Sequence, residues 1–139
     1  MKSLIVALLH LLASAMSGSV NAEKTVYEGT IGQYKIHMVL DDDFEGYYYY
    51  DHRPESRFKL VKSHVADEDD ECEGLSCFIL QEYAPGTNKN TGEFLVEFNE
   101  HFPAGGYYHG EIYGTWRNKS NGKTLPIYVS CLVKTDAEE

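Results

Sequence analysis

The chain has 139 residues, with 12 Lys and Arg against 22 Asp and Glu. That acid excess repels phosphate backbones and anionic lipid headgroups, so it argues against nucleic-acid and membrane-surface roles and would steer a basic partner toward the protein. The length fits one domain closing one modest core.

Residues 1–22 read as a secretory signal peptide: Lys2 gives a basic start, Leu4 to Met16 an apolar run, and Val20-Asn21-Ala22 a cleavage signal. Ser14, Ser17, Gly18 and Ser19 break the run too early for a membrane span. Cleavage after Ala22 leaves residues 23–139 as a single periplasmic or secreted domain, not inserted in a membrane. It would carry 11 cationic side chains against 22 acidic ones, since only Lys2 is lost.

From Thr25 onward the apolar residues recur with period two, and no window shows the i, i+3, i+4, i+7 spacing of an amphipathic helix. Strands are expected at Thr25–Thr30 and Gln33–Leu40, the second placing Tyr34, Ile36, Met38 and Leu40 on its core face. After the acidic turn Asp41–Glu45 comes Gly46–Asp51, which holds four consecutive tyrosines and is closed off by Pro54. Arg57–Lys62 follows, then the acidic stretch HVADEDDECEG, then Ser76–Tyr83 with Phe78, Leu80 and Glu82 on one face. A polar hairpin loop, Pro85–Asn90, leads to Thr91–Phe98. His101–His109 reads as a glycine-bearing loop, and Gly110–Arg117 and Lys123–Lys134 as the last two strands, joined by an Asn121-Gly122 turn. Eight such strands with mostly short links imply an all-β antiparallel meander, folded into a small barrel or sandwich.

The cysteines are Cys72, Cys77 and Cys131. The four-residue spacer makes Cys72–Cys77 the first choice of disulfide, with Cys77–Cys131 as its rival. By strand parity, however, Cys131 points inward and Cys77 outward. An odd count leaves at least one cysteine free or paired between chains, which admits a homodimer.

Within this framework few residues suggest chemistry. Glu82 shares the face of Phe78 and Leu80 and has two readings. It is either a buried acid that, with Glu111, would make a weak glycan hydrolase, or a structural carboxylate accepting hydrogen bonds from a tyrosine hydroxyl or loop amides. The second is preferred. His37, His52, His64, His101 and His109 form no H-x-H or H-E-x-x-H motif, Asp67–Glu71 lacks the pattern of a calcium loop, and G-x-S-x-G is missing. No metal, cofactor or catalytic group is therefore assigned. Tyrosine offers contact area at low entropy cost with a polar tip. In a strand, Tyr48 and Tyr50 face one way and Tyr47 and Tyr49 the other, so only one pair can belong to a surface. Tyr48, Tyr50, Glu82 and the expected loop Tyr107-Tyr108-His109 are the candidate binding residues.

The succession Gly29–Leu40, Gly46–Tyr50, Phe78–Glu82, Thr91–Val96, Gly114–Trp116 and Leu125–Val129 resembles a widespread group of small exported bacterial domains of uncharacterised activity. The resemblance covers most of the mature chain and implies a sheet more than a chemistry. The acidic stretch Asp67–Glu73 and its cysteines stand outside it. In size, export and β architecture the chain is also similar to periplasmic lysozyme inhibitors. The leading expectation is thus a non-enzymatic inhibitor or immunity-type factor for a basic partner such as a lysozyme or a peptidoglycan-directed toxin. The alternative is a carbohydrate or small-ligand module using a barrel mouth.

Overall fold

Period-two alternation commits each segment to a strand with one apolar face, and a sheet with such a face buries it most completely by curling closed. The computed structural model describes residues 23–63 and 77–135. It contains β1 (Thr25–Ile31), β2 (Tyr34–Leu40), β3 (Gly46–Tyr50), β4 (Phe58–Ser63), β5 (Cys77–Tyr83), β6 (Asn90–His101), β7 (Tyr107–Asn118) and β8 (Thr124–Lys134). Each strand pairs antiparallel with the next, and β1 returns to β8, closing a barrel. Of the two architectures left open by the sequence, the structure is the barrel.

The inward rows fill the interior. Ile31, Ile36, Met38, Leu40, Leu60, Leu80, Phe94, Val96, Ile112 and Val129 are all buried, and Tyr48 is fully enclosed among them. Each such aliphatic or aromatic side chain stabilises the fold by about 1.5–3 kcal/mol relative to exposure. At places in the wall the strands approach too closely for a side chain. A Cβ on Gly29 would lie 1.9 Å from the Tyr128 carbonyl oxygen, and one on Gly114, 2.1 Å from that of Leu95.

The ends of the barrel differ. At one end, Phe44 in the β2–β3 turn packs its ring 4.6 Å from that of Phe78 and 5.0 Å from that of Phe98, as a plug. Asp41 fixes this turn by accepting from the Asp43 and Glu45 amides, and Phe44 sits at φ 61°, a conformation unfavourable for a bulky residue that the ring packing holds in place. The other end, where β1 meets β2, β3 meets β4, β5 meets β6 and β7 meets β8, has no such plug among the described residues. Pairing is uneven too: β7 and β8 stay in register from Tyr107 to Arg117, whereas β3 and β4 pair only from Gly46↔Leu60 to Tyr48↔Phe58.

Several sequence expectations need correction here. The expected loop His101–His109 is shorter, running only from Phe102 to Gly106, because Gly105 and Gly106, at φ 91° and 80°, reverse the chain and let β6 and β7 pair as far as His101↔His109. Tyr107, Tyr108 and His109 are thus strand residues. Tyr34, assigned to the core, is 49 % exposed, since it starts β2 at the open rim. Cys131 is free and buried, so Cys77 is not joined to it. Cys72 and the acidic stretch lie outside the described residues, as does residue 1–22.

Candidate functional site

Among the described residues Glu82 is the one charged side chain buried in the core, 2 % exposed near the end of β5. A carboxylate there is tolerated only if its lone pairs are met. Oε1 accepts from the Tyr48 hydroxyl at 2.5 Å and from Trp116 Nε1 at 2.8 Å, and Oε2 accepts from the Thr91 hydroxyl at 2.7 Å. Asn90 Nδ2 donates to the Glu82 backbone oxygen at 2.7 Å. Gly92 makes room for the group: a Cβ there would come within 2.8 Å of Trp116 Nε1 and 3.0 Å of Glu82 Oε2. Burial, followed by the negative charge of Glu82, pushes the Tyr48 phenol well above its ordinary pKa. The result is a hub tying β3, β5, β6 and β7 together beneath the open mouth. Glu111, the carboxylate considered as its catalytic partner, accepts from Tyr128 on the outer face of the wall. The two carboxylates do not face one space.

Above this floor the open end is grooved. A cavity of about 480 Å³ is walled by Tyr34, Tyr50, His52 and Phe58, with Arg53, Ser56 and Pro85 at its edge. It exists because β3 and β4 part after Tyr48↔Phe58, and the intervening loop turns away on the bonds Arg53 N–H to Tyr50 O and Ser56 N–H to Arg53 O. On the other side of Tyr34 a second cavity, of about 450 Å³, is lined by Trp116 and Leu125 and by Gln33, Asn118, Asn121, Lys123 and Thr124. Asn118 shapes that rim by accepting from the Ser120 amide and hydroxyl. Tyr34 and Tyr50 meet edge to face at 6.2 Å. The two cavities therefore share one aromatic divider and offer ring faces with amide and hydroxyl edges.

The candidate residues from sequence are split between the two ends. Tyr48 and Glu82 form the floor of the open end, closed off from solvent, and Tyr50 lines its cavity. Tyr47 and Tyr49 lie outside, stacked with each other and with His37, under the guanidinium of Arg57. Tyr107, Tyr108 and His109 are at the plugged end. There Tyr108 turns inward and donates to Glu100 at 2.8 Å, while His109 faces out and meets His101 at 2.6 Å. Among the described residues no three His, Cys, Asp or Glu side chains are gathered so as to hold a metal ion. Sequence reasoning missed Tyr34, His52, Phe58, Trp116 and Lys123 as site residues. Its usable signal was proximity to turns: Tyr34 and Phe58 begin strands, Trp116 lies two residues before the end of β7, and His52 and Lys123 stand in the turns themselves.

No family model, no curated protein and no solved structure matches the chain.

Proposed function

We propose that this protein is a non-enzymatic binding module, exported after cleavage near Ala22 and braced by a Cys72–Cys77 disulfide, that takes a carbohydrate or similarly sized ligand at its open mouth. One observation carries the reading: two cavities meet on the half-exposed ring of Tyr34, with Tyr50, Phe58 and Trp116 as further apolar faces and Gln33, Asn118 and Asn121 as hydrogen-bonding edges. Apolar walls with a few placed polar groups are what small-ligand sites require. The saturated Glu82 below favours a supporting role over a reacting one. The test is a two-dimensional NMR titration of the protein with soluble oligosaccharides. Shifts confined to Tyr34, Tyr50, Phe58 and Trp116, and lost in Tyr34→Ala, support the module; shifts confined to the plugged end would sink it.

A second reading keeps the basic protein partner. It is favoured by the plugged end, where Asp41, Asp42, Asp43 and Glu45 crowd one turn and Phe102 (71 % exposed) and Tyr107 project. Retention of a stoichiometric basic protein such as lysozyme, with an on-rate that falls steeply with salt, is its expected signature.

A further inference from the structure

In the loops of the open mouth of this acidic chain, cations outnumber acids. The loops of the open mouth carry Arg53, Arg57, Lys89, Lys119 and Lys123 against Asp51 and Glu55, whereas the plugged turn 41–45 has four carboxylates and no cation. The two mouth acids do little to cancel this. Asp51 is engaged by His37 Nε2 at 2.7 Å, and Glu55 meets Arg53 at a loose 3.8 Å between two well-exposed side chains. Lys119 is occupied by Glu93 and Asn90, and Arg57 by the Tyr47 ring. That leaves Arg53, Lys89 and Lys123 as the available cations, and of these Arg53 and Lys123 each line one of the two cavities that meet at Tyr34. Among the described residues Lys123 makes no ion pair.

Resting on the binding-module reading, we propose that the mouth selects anionic glycans, with carboxylates carried on the sugar rings. A single phosphate would call for cations converging on one point, often helped by backbone amides. Here they are set apart on either side of an aromatic divider, which suits a ligand whose charges recur along a chain of rings. The rings lie against Tyr34, Tyr50 and Trp116, the amide edges meet hydroxyls, and Arg53 and Lys123 meet carboxylates on separate units. The four carboxylates of the turn 41–45 at the plugged end repel the same ligand locally.

The test compares tetragalacturonate with its fully methyl-esterified form, which keeps the rings and removes the charge. Binding to the purified protein is measured by calorimetry at low and high salt, with the Trp116 indole resonance as the local reporter. The acid is expected to bind about tenfold or more tighter than the ester, with the advantage shrinking as salt rises. Arg53→Gln and Lys123→Gln, both rim changes that leave the melting temperature in place, should each weaken the acid several-fold and leave the ester alone. Equal affinity for acid and ester, or acid binding untouched by both variants, overturns the anionic selection while the binding module stands. If neither saccharide binds or moves the Trp116 resonance, both readings fail.

Discussion

The hydroxyl of Tyr48 on β3 donates a 2.5 Å hydrogen bond to Oε1 of Glu82 on β5, inside a barrel interior lined mainly by apolar side chains. Hydrogen bonds to a buried charge are worth more than the neutral kind, and a donor stranded without its acceptor is costly. Tyr48→Phe is expected to lower unfolding free energy by about 1.5–3 kcal/mol. Glu82→Ala is expected to cost more, about 3 kcal/mol or above, because the Tyr48, Thr91 and Trp116 donors are all left without their acceptor. Urea unfolding measures both. Losses of a few tenths would mean that the hub contributes little.

Alkaline pH should undo the fold from the inside. Burial raises the phenols of Tyr27, Tyr48 and Tyr108 above their ordinary value of 10.0, with Glu82 adding to the effect at Tyr48 and the Glu100 hydrogen bond at Tyr108. A raised folded-state pKa means the unfolded chain gives up these protons first. The associated stability is whole below pH 10 and drains away as pH climbs toward the folded-state values. Phenolate absorbance followed with circular dichroism should show these tyrosines ionising together with loss of structure. Smooth ionisation with the fold intact would contradict their burial.

On the outer wall the sign reverses. The hydrogen bond from His37 is the main cause that holds the Asp51 carboxyl below its ordinary 3.8, so the contribution of this contact is present above that value and disappears as pH falls through the lowered one. His37→Phe keeps a ring to stack on Tyr49, now 5.0 Å away, but removes the donor. Carbon-detected NMR titration should then find the Asp51 midpoint back at its ordinary value. An unmoved midpoint would assign the shift to other neighbours.

Two glycines should respond differently to alanine. Gly114→Ala drives a methyl into the Leu95 carbonyl and requires β6 and β7 to part, so a loss of about 3 kcal/mol or more is expected. Gly86, at φ +71° in open space, meets only the local cost of a left-handed conformation, about 1–2 kcal/mol. Gly114 itself lies at φ +155°, so thermal melts of the pair measure how much close strand approach adds to backbone handedness.

Cys131 is the free thiol of the barrel interior, and burial raises its pKa. Thiolate is the reactive form, so alkylation in native buffer should be slow and should become rapid in denaturant. Fast native labelling would show that β8 opens readily.

The strands, their inward rows and their order were legible in the sequence because alternation with period two is a local signal, and Ile36, Leu80, Phe94 and Val129 each obey it without help from distant residues. Glu82 was legible for the same reason: its parity placed it inside, and a buried carboxylate must find donors. The identity of two of those donors, Thr91 and Trp116, depends on the register between β5, β6 and β7, which no local pattern encodes. The mouth was harder still. Tyr34 has core parity yet stands in solvent, because the first residue of a strand can point inward at a level where the barrel has already ended. Tyr107 to His109 read as loop because the loop was drawn out to the far side of its glycines, when Gly105 and Gly106 at positive φ close a turn that ends at Gly106.

The brief ladder between β3 and β4 has a mechanical meaning. Strands joined by few rungs exchange their amide protons soonest and yield first to a push from inside, and binding surfaces tend to be drawn from such compliant regions. Here the compliant seam runs directly into the wall formed by Tyr50 and Phe58, while the Glu82 hub clamps β3 from behind to β5, β6 and β7. The barrel is thus a stiff cup with one soft lip, able to spread around a guest without loosening its base.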